Sequence, residues 1–522
     1  MVTLNLSVVI KNPRNDAEFL LVLQERPREF GEEEYDSYVD SDLWDLPFTR
    51  LKPLEGENRR RYTVSVAESC SDEVDLGNFD LESALNRVLA KLGFDFSDVG
   101  EWRFFKRVKE PEFGPDSCLH TCFLTGKLLN SDRTLQEHCK WMSMEACLEY
   151  LVDVKPGSDR VGPLVFLGLE DDSVLSMKLK KSPSLPLQEY PPGVMLVPMH
   201  SRTQKPFKTT NLIVIAPEND RGDIQGTDFV ASGDALIVDP GCHYQLHEEL
   251  KSIVAALPRK LIVFVTHHHP DHIDGLSAVQ ESNPDAILLA HVKTRDRIGP
   301  DCWSRGYTPV SGGEDIYVNG QILRVIFAPG HTDGHMALLH LSTHSLIVGD
   351  HCVGQGSAAL DITSGGNMTE YFQSTYKFLE LSPHVLIPMH GRINLWPKHM
   401  LCEYLKNRRS REESILKAIE GGARTLFDIV ARVYAGVDRK LWLPAASNVR
   451  LHIDHLAREN RLPEDFSMQG FKGTCGLRFV VRWGLECVGS QMGKAGFAKL
   501  LVAGAIALGS VLYLDKRKKN SL

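Results

Sequence analysis

The run His267–His272 is dense in side chains of the types that bind metal ions. Five of its six residues are histidine or aspartate, and the apolar run Leu261–Val265 directly precedes it. Such a run is typical of a buried strand. Zinc favours neutral imidazole nitrogen and carboxylate oxygen, and a strand end holds these groups in fixed directions. The run therefore predicts metal binding rather than a solvated loop.

Three later segments repeat this construction. His331 follows the apolar run 325–328, Asp350 follows 346–348, and His390 follows 385–387. A single histidine or aspartate at a strand end is more often structural. Four such strand ends in order favour a common site, and we expect them to converge on one metal centre.

Over about residues 194–396 the sequence resembles the metallo-β-lactamase superfamily, whose fold is an αββα sandwich with the site on one edge. The H-x-H-x-D-H pattern at 267–272 and the three later segments carry this resemblance. It implies one metal bound by His267, His269 and His331, another bound by Asp271, His272 and His390, and Asp350 bridging both. No position of that pattern is missing, so the resemblance implies an active enzyme and not an inactive scaffold.

The expected cofactor is Zn²⁺, two ions per chain, and the expected chemistry is hydrolysis. Two divalent ions a few ångströms apart lower the pKa of a shared, bridging water to near neutrality and polarise the scissile oxygen. We expect Asp271 to orient the resulting hydroxide. His335 is a candidate donor to the developing oxyanion, with packing behind the ligands as its alternative role. His268 is expected to point away, and Asp239 resembles a family residue that supports the ligand loop.

The residues after His390 narrow the expected substrate. The run Tyr404–Leu416 and the helical module that follows resemble the β-lactamase-like protein 2 family, in which a winged-helix-like domain follows the metal domain. This resemblance implies endoribonuclease cleavage of single-stranded RNA. The basic cluster of Lys406, Arg408, Arg409 and Arg411 agrees with RNA binding, although a solvated helix face explains it equally well.

Two other functions stay open. A thioester or ester hydrolase of the hydroxyacylglutathione hydrolase (glyoxalase II) type shares every metal ligand, so the ligands do not separate it from a nuclease. A membrane-tethered adaptor, whose helical module binds protein, belongs to a different class, and the complete ligand set argues against it as the main role. The sequence does not indicate an oligomeric state.

The composition is that of a multidomain globular protein. The 522 residues are 43% hydrophobic and 24% charged, and the net charge of −9 offers no global attraction for nucleic acid. The 11 cysteines are an odd number without paired spacing, which favours a reducing compartment.

Changes in pattern along the chain predict its domains. Apolar runs and a helix at Leu81–Leu92 precede a proline-rich segment, after which short β-branched runs alternate with helical segments in the manner of layered α/β structure. Helices are then expected at 411–420, 425–434 and 448–460. The predicted order is an N-terminal α+β domain at 1–175, a linker at 176–193, the metal domain at 194–396, the winged-helix-like module at 397–466 and a tether at 467–493.

The N-terminal domain resembles a Nudix domain that has lost its catalytic residues. Leu43–Pro47 matches the stretch before the family's glycine pair, and Glu82–Phe94 matches its helix. Phe48–Thr49 replaces the glycines, and Asn86–Gly93 lacks the catalytic carboxylates. Without these carboxylates there are no ligands for magnesium, so the resemblance implies a binding or packing role rather than diphosphate hydrolysis.

The C-terminal segment at 494–514 is a candidate membrane anchor. Residues 495–514 contain one charge, Lys499, and four basic residues follow at 516–519. About 20 apolar residues suffice to cross a bilayer. We therefore expect a tail anchor in an organelle membrane, with a mitochondrial or plastid outer membrane favoured, the catalytic part facing the cytosol and no cleavable N-terminal signal.

Overall fold

The computed structural model describes residues 3–54, 65–66, 76–115, 118–130, 134–169, 186–217 and 228–489. These residues divide into two compact units. The first unit comprises the described residues among 1–358 and 373–403, and the second unit comprises those among 359–372 and 404–522.

The N-terminal β domain, residues 3–169 of the first unit, is built on one mixed sheet. Its strands are β1 (Thr3–Lys11), β2 (Glu18–Leu23), β3 (Leu43–Asp45), β4 (Phe48–Arg50), β5 (Ser65–Val66), β6 (Arg103–Lys109), β7 (Leu119–Lys127), β8 (Cys139–Ser143) and β9 (Arg160–Val161). The order is β5-β6-β7-β1-β2-β3-β9, with β4 beside β1 and β8 beside β2.

Three helices complete the N-terminal β domain: α1 (Leu81–Leu92), α2 (Met144–Glu149) and α3 (Pro163–Leu169). The helix predicted at Leu81–Leu92 is confirmed. The Asp80 carboxylate accepts a hydrogen bond from Ser83 N at its start, and Gly93, with a φ of 76°, follows its end. The Nudix-like assignment of this β-rich domain stays a prediction.

The metal domain follows in the same unit. Its strands are β10 (Gln188–Glu189), β11 (Met195–His200), β12 (Thr209–Ile215), β13 (Phe229–Gly233), β14 (Ala235–Val238), β15 (Leu261–Phe264), β16 (Ile287–Ala290), β17 (Tyr307–Pro309), β18 (Asp315–Val318), β19 (Gln321–Phe327), β20 (Met336–His340), β21 (Ser345–Gly349) and β22 (Val385–Pro388). Its helices are α4 (His247–Ala256), α5 (Pro270–Ile273), α6 (Leu276–Ser282), α7 (Val292–Arg295) and α8 (Met368–Leu381).

These strands form two sheets. The first has the order β10-β11-β12-β14-β15-β16-β17, and the second has the order β13-β18-β19-β20-β21-β22. Ile262 of β15 packs in the core that also contains Val325 and Leu338 of the second sheet. Val263, on the opposite face of the same strand, packs with Leu250 of α4. Because β15 is covered on both faces, its sequence is a continuous apolar run.

The second unit is helical in its C-terminal part. Its helices are α9 (Pro397–Glu420), which begins in the first unit, α10 (Leu426–Val433), α11 (Trp442–Arg458), α12 (Met468–Lys472) and α13 (Leu477–Gly489). The three helices predicted between 411 and 460 are present as parts or near equivalents of α9, α10 and α11. The predicted tether at 467–493 is wrong for its described part, because α12 and α13 occupy most of residues 468–489.

The carboxylate of Glu412, on α9, is buried among arginine and histidine side chains from α9, α11 and the residues that follow α11. Glu412 is fully buried and lies 2.6 Å from Nη1 of Arg461, 3.2 Å from Nη1 of Arg409 and 3.4 Å from Nε2 of His455. Burial by itself would raise the pKa of Glu412, but His452 and the Arg461 guanidinium reverse this effect and hold the pKa at about 2. The carboxylate is therefore ionised at neutral pH.

The structure corrects the predicted membrane anchor. Within the residues that it describes, no helix has both the length and the apolar character needed to cross a bilayer. This finding goes against the tail anchor and against the localisation built on it. The segment at 494–514 lies outside the described residues.

Candidate metal centre

The first group of predicted ligands consists of His267, His269 and His331. His267 and His269 follow β15, and His331 lies in the loop after β19. Nε2 of His331 lies 3.2 Å from Nε2 of His267 and 3.1 Å from Nδ1 of His269, and the last two nitrogens are 2.9 Å apart. Three imidazole nitrogens thus point at one place.

The second group consists of Asp271, His272 and His390. Asp271 and His272 lie on α5, and His390 follows β22. Nε2 of His390 lies 3.3 Å from Oδ2 of Asp271, and Nε2 of His272 lies 3.9 Å from the same oxygen. His272 and His390 are buried, whereas the Asp271 side chain keeps 14% of its surface exposed.

Asp350, which follows β21, faces both groups with different oxygens. Its Oδ2 lies 3.9 Å from Nε2 of His267 and 3.8 Å from Nε2 of His331. Its Oδ1 lies 3.4 Å from Nε2 of His272 and 3.3 Å from Nε2 of His390. One carboxylate therefore connects the two groups, as a bridging ligand would.

The donor atoms fit divalent cations. Nitrogens bound to one tetrahedral zinc at about 2.0–2.1 Å are about 3.3 Å apart, close to the separations in the first group. Nε2 of His272 and Oδ1 of Asp350 are buried and 3.4 Å apart but make no well-formed hydrogen bond, and a cation beside both would satisfy them. The ligand atoms of the first group and of Asp350 all lie within 4.8 Å of one another. The ligand atoms of the second group also lie within 4.8 Å of one another.

Hydrogen bonds on the far side of each ring fix the orientation of the histidines. Nδ1 of His272 lies 2.8 Å from Oδ2 of Asp239, and Nδ1 of His390 lies 2.9 Å from Thr209 O. Asp239 also accepts hydrogen bonds from N and Oγ1 of Thr266. These contacts leave Nε2 of His272 and His390 facing the centre, which is the arrangement seen around bound metals.

The turn that carries Asp239 packs directly against α5. A Cβ atom on Gly241 would lie only 1.8 Å from Asp271 O and 2.5 Å from His272 N. Glycine is therefore required for the turn to approach the backbone of two predicted ligands so closely.

The contacts of His335 argue against its predicted role as an oxyanion donor. The side chain is fully buried, its Nε2 accepts a hydrogen bond from Asp350 N at 3.1 Å, and its Nδ1 donates to Ala328 O at 3.0 Å. Burial, followed by the charge of His331, lowers its pKa to about 3. Neutral His335, with both nitrogens engaged, holds the backbone at Asp350 instead.

Asp271 has the charge expected of a proton acceptor. Burial by itself would raise the pKa of its carboxyl group, but His272 and His390 outweigh burial and lower the pKa to about 2. An ionised, partly exposed carboxylate at the edge of the centre can orient a water molecule. His268, by contrast, belongs to neither of the two ligand groups described above.

Sequence reasoning missed the residues that support His390. Asn211, fully buried on β12, donates from Nδ2 to Pro388 O at 2.8 Å and to Gly391 O at 2.9 Å. The ring of Phe207 stacks on His390 with 5.7 Å between centroids. The signal in the sequence was a polar asparagine directly before the apolar run 212–215. It does not identify the partners of Asn211, which lie 177 and 180 residues later in the chain.

The chain is similar to known protein families over its metal domain and over part of its C-terminal helical module. Residues 228–390 match the family described as the metallo-beta-lactamase superfamily, and residues 425–465 match the beta-lactamase associated winged helix domain. The chain is 28% identical over 261 residues to a "Beta-lactamase-like protein 2 homolog" of Drosophila melanogaster, covering 46% of this chain and 85% of that protein. A homolog of the same name in Caenorhabditis elegans is 27% identical over 244 residues, covering 45% and 80%. A solved β-lactamase domain protein from Burkholderia ambifaria is 20% identical, with a TM-score of 0.44, covering 55% of this chain and 91% of that one.

Proposed function

Because residues 228–390 form a domain of the metallo-β-lactamase superfamily, a family of metal-dependent hydrolases, we propose that this hydrolase uses two zinc ions to cleave single-stranded RNA. The observation that carries the two-metal proposal is the geometry of Asp350, whose two oxygens face different groups of ligands. The donor set of five imidazoles and two carboxylates is one that zinc favours.

The side chains have separate roles in this proposal. His267, His269 and His331 would hold one ion, Asp271, His272 and His390 the other, and Asp350 both. When bound, the ions supply an activated water and a positive charge that polarises the scissile group. Asp271 orients the water, and Asp239 and His335 keep His272 and Asp350 in place.

The RNA substrate is supported by the part of the chain beyond the metal domain. The winged-helix domain at 425–465 and the similarity to the beta-lactamase-like protein 2 homologs agree with the endoribonuclease resemblance of the sequence. In the second unit, Arg408 and Arg409 lie over the rings of Tyr371 and Phe372, and Arg411 lies over Tyr434. Part of the basic cluster is thus engaged with aromatic rings, so we assign it no RNA contact.

Cleavage assays on the full chain test the proposal. Purified protein loaded with zinc should cut end-labelled single-stranded RNA and leave the same RNA in a duplex largely intact. Asp350→Ala removes the ligand shared by both groups, and we expect it to lower the cleavage rate at least about a thousandfold through loss of the metal-activated water.

A thioester substrate distinguishes the alternative function. S-lactoylglutathione should be turned over slowly or not at all if RNA is the substrate. If the protein hydrolyses the thioester in a manner that depends on Asp350 and cleaves none of the RNAs tested, the function would be that of the hydroxyacylglutathione hydrolase type. Two-metal hydrolysis itself would be wrong if Asp350→Ala retained wild-type activity on every substrate.

A further inference from the structure

The N-terminal β domain contacts the chain segment that carries His390. This segment, residues 384–399, is called the His390 segment below. Arg160 of β9, which is 3% exposed, donates from Nη1 to His384 O at 3.0 Å and also to Leu395 O. Its guanidinium carbon lies 5.1 Å from the centre of the Trp396 ring. One buried arginine therefore links the two ends of the loop around His390.

A second contact lies closer to the ligand. Arg392, two residues beyond His390, donates from Nε to both carboxylate oxygens of Glu110 at 2.8 and 2.9 Å. The side chains of Glu110 and Arg392 are 15% and 29% exposed. A partly buried, bifurcated ion pair has a more fixed geometry than a solvated pair on the surface.

The third contact fixes the end of the segment. Asp40, which is buried, accepts hydrogen bonds from Lys398 N and His399 N, both at 3.0 Å. These N–H groups belong to the first turn of α9 and have no partner within the helix. An aspartate of the N-terminal β domain thus satisfies the first turn of α9, in which the His390 segment ends.

We propose that the N-terminal β domain positions His390 for metal binding, with Glu110, through Arg392, as a positioning residue. The inference rests on the proposed two-metal site. The other two ligands of the second group lie on α5, where Asp239 of the metal domain holds His272. Loss of the Glu110 contact should therefore affect the ion at His390 and spare the ion at His267, His269 and His331.

The backbone around His390 explains why such support matters. Gly391 has a φ of 88°, and a Cβ atom there would lie 2.9 Å from Gly354. The backbone beside His390 is therefore closely packed against Gly354, and metal ligands tolerate only small errors in direction. Groups that hydrogen-bond metal ligands typically change metal affinity by about 10- to 100-fold when they are replaced.

Zinc binding by the full-length protein tests the inference. The two dissociation constants are measured by competition with a chelator, and metal content is measured after dialysis. His390→Ala serves as the reference that loses the second ion. We expect Glu110→Ala to weaken the second zinc by about tenfold or more and to leave the first dissociation constant unchanged. The double variant with His390→Ala should bind zinc no more weakly than His390→Ala alone.

A matched ion pair within the metal domain provides the control. Asp315 and Arg324 form a two-bond pair at 2.9 and 2.9 Å between β18 and β19, without contact to the His390 segment. Asp315→Ala should leave both zinc affinities unchanged. If Glu110→Ala proves poorly folded in thermal melts, Glu110→Gln keeps the side-chain volume and removes the charge, and it should show the same selective loss.

The possible outcomes distinguish a failure of the positioning role of Glu110 from a failure of the proposed two-metal function. Wild-type affinity for both ions in Glu110→Ala and Glu110→Gln would overturn the positioning role. Equal weakening of both ions together with a lower melting temperature would overturn it too, because that pattern indicates general destabilisation. A wild-type protein that binds fewer than two zinc ions would refute the two-metal function, and the inference with it.

Discussion

Hydrogen bonds to neighbouring groups decide what each histidine of the metal centre can do. His272 and His390 each use Nδ1 for a supporting contact and present Nε2 to the centre. His335 differs because both of its nitrogens are engaged, one by Ala328 O and the other by Asp350 N. Residue type and spacing did not distinguish these roles, since the distinction lies in the direction of each ring.

Replacing His335 tests this difference. His335→Ala should lower zinc affinity and activity by about 10- to 100-fold, because the backbone N–H of Asp350 loses its acceptor. The pH dependence of kcat in zinc-loaded protein should keep its shape, since a group with a pKa of about 3 is neutral throughout the usual range. Loss of one limb of the pH profile would restore His335 as a catalytic acid.

The local sequence identified the candidate ligands but not the residues that support the His390 segment. The seven ligand candidates follow apolar runs, so their positions at strand ends could be inferred from local sequence. The partner of Arg392 is Glu110, which lies 282 residues earlier in the chain. No local pattern connects two residues so far apart, because only the packed fold brings them together.

Among the elements, α9 and α11 are joined by the buried carboxylate of Glu412. Its pKa of about 2 lies below the ordinary value of 4.5, so the folded form binds the proton more weakly than the unfolded form. The stabilisation is present above about pH 4.5 and is lost as the pH falls through about 2. Buried His452, whose pKa burial lowers to about 4, adds a loss of stability between about pH 6.5 and 4.

Glu412→Gln should therefore destabilise these helices at neutral pH. We expect a cost of about 2 kcal/mol, less than for a fully buried pair because Arg461 is 37% exposed. Hydrogen exchange in residues 404–420 and 442–458 should be faster than in the wild type at pH 7, with the difference shrinking toward pH 3. Neighbouring Glu413 is exposed, and Glu413→Gln should exchange like the wild type.

The helix α13 shows why one element escaped prediction. Leu477, Val481 and Leu485 are more than half exposed, whereas Phe479 is buried. The glycine content of residues 467–493, including Gly484 within α13, favoured a tether, because glycine is unfavourable inside a helix. The helix α1 was predictable because its apolar residues face one core and residues on either side mark its ends.

On the scale of the whole molecule, the proposed metal centre predicts that folding and metal binding are coupled. The centre lies at strand ends of the two sheets and brings buried histidines close to one another and to two carboxylates that are 13 to 14% exposed, which is costly without a cation. Removal of zinc by a chelator should lower the melting temperature. Zinc restored to 100 times its dissociation constant should return about 2.7 kcal/mol for each site that binds only the folded form.

Thermal melts with and without chelator measure this effect. Asp350→Ala should show a smaller difference between its zinc-loaded and chelated forms, because it has lost a ligand to both ions. A wild-type protein whose melting temperature is the same in both conditions would contradict the coupling. Magnesium restored in place of zinc provides a control, since these imidazole-rich groups suit it poorly.

The close approach of Gly241 to α5 has a consequence for the interpretation of natural variants. Glycine has no reactive group, yet even the methyl group of alanine would overlap the backbone of Asp271 and His272. In a scan of all substitutions, position 241 should tolerate as little change as position 350. A missense change at this glycine should therefore be classed with changes of the ligands themselves, and the zinc content of the purified variant would show whether that classification is right.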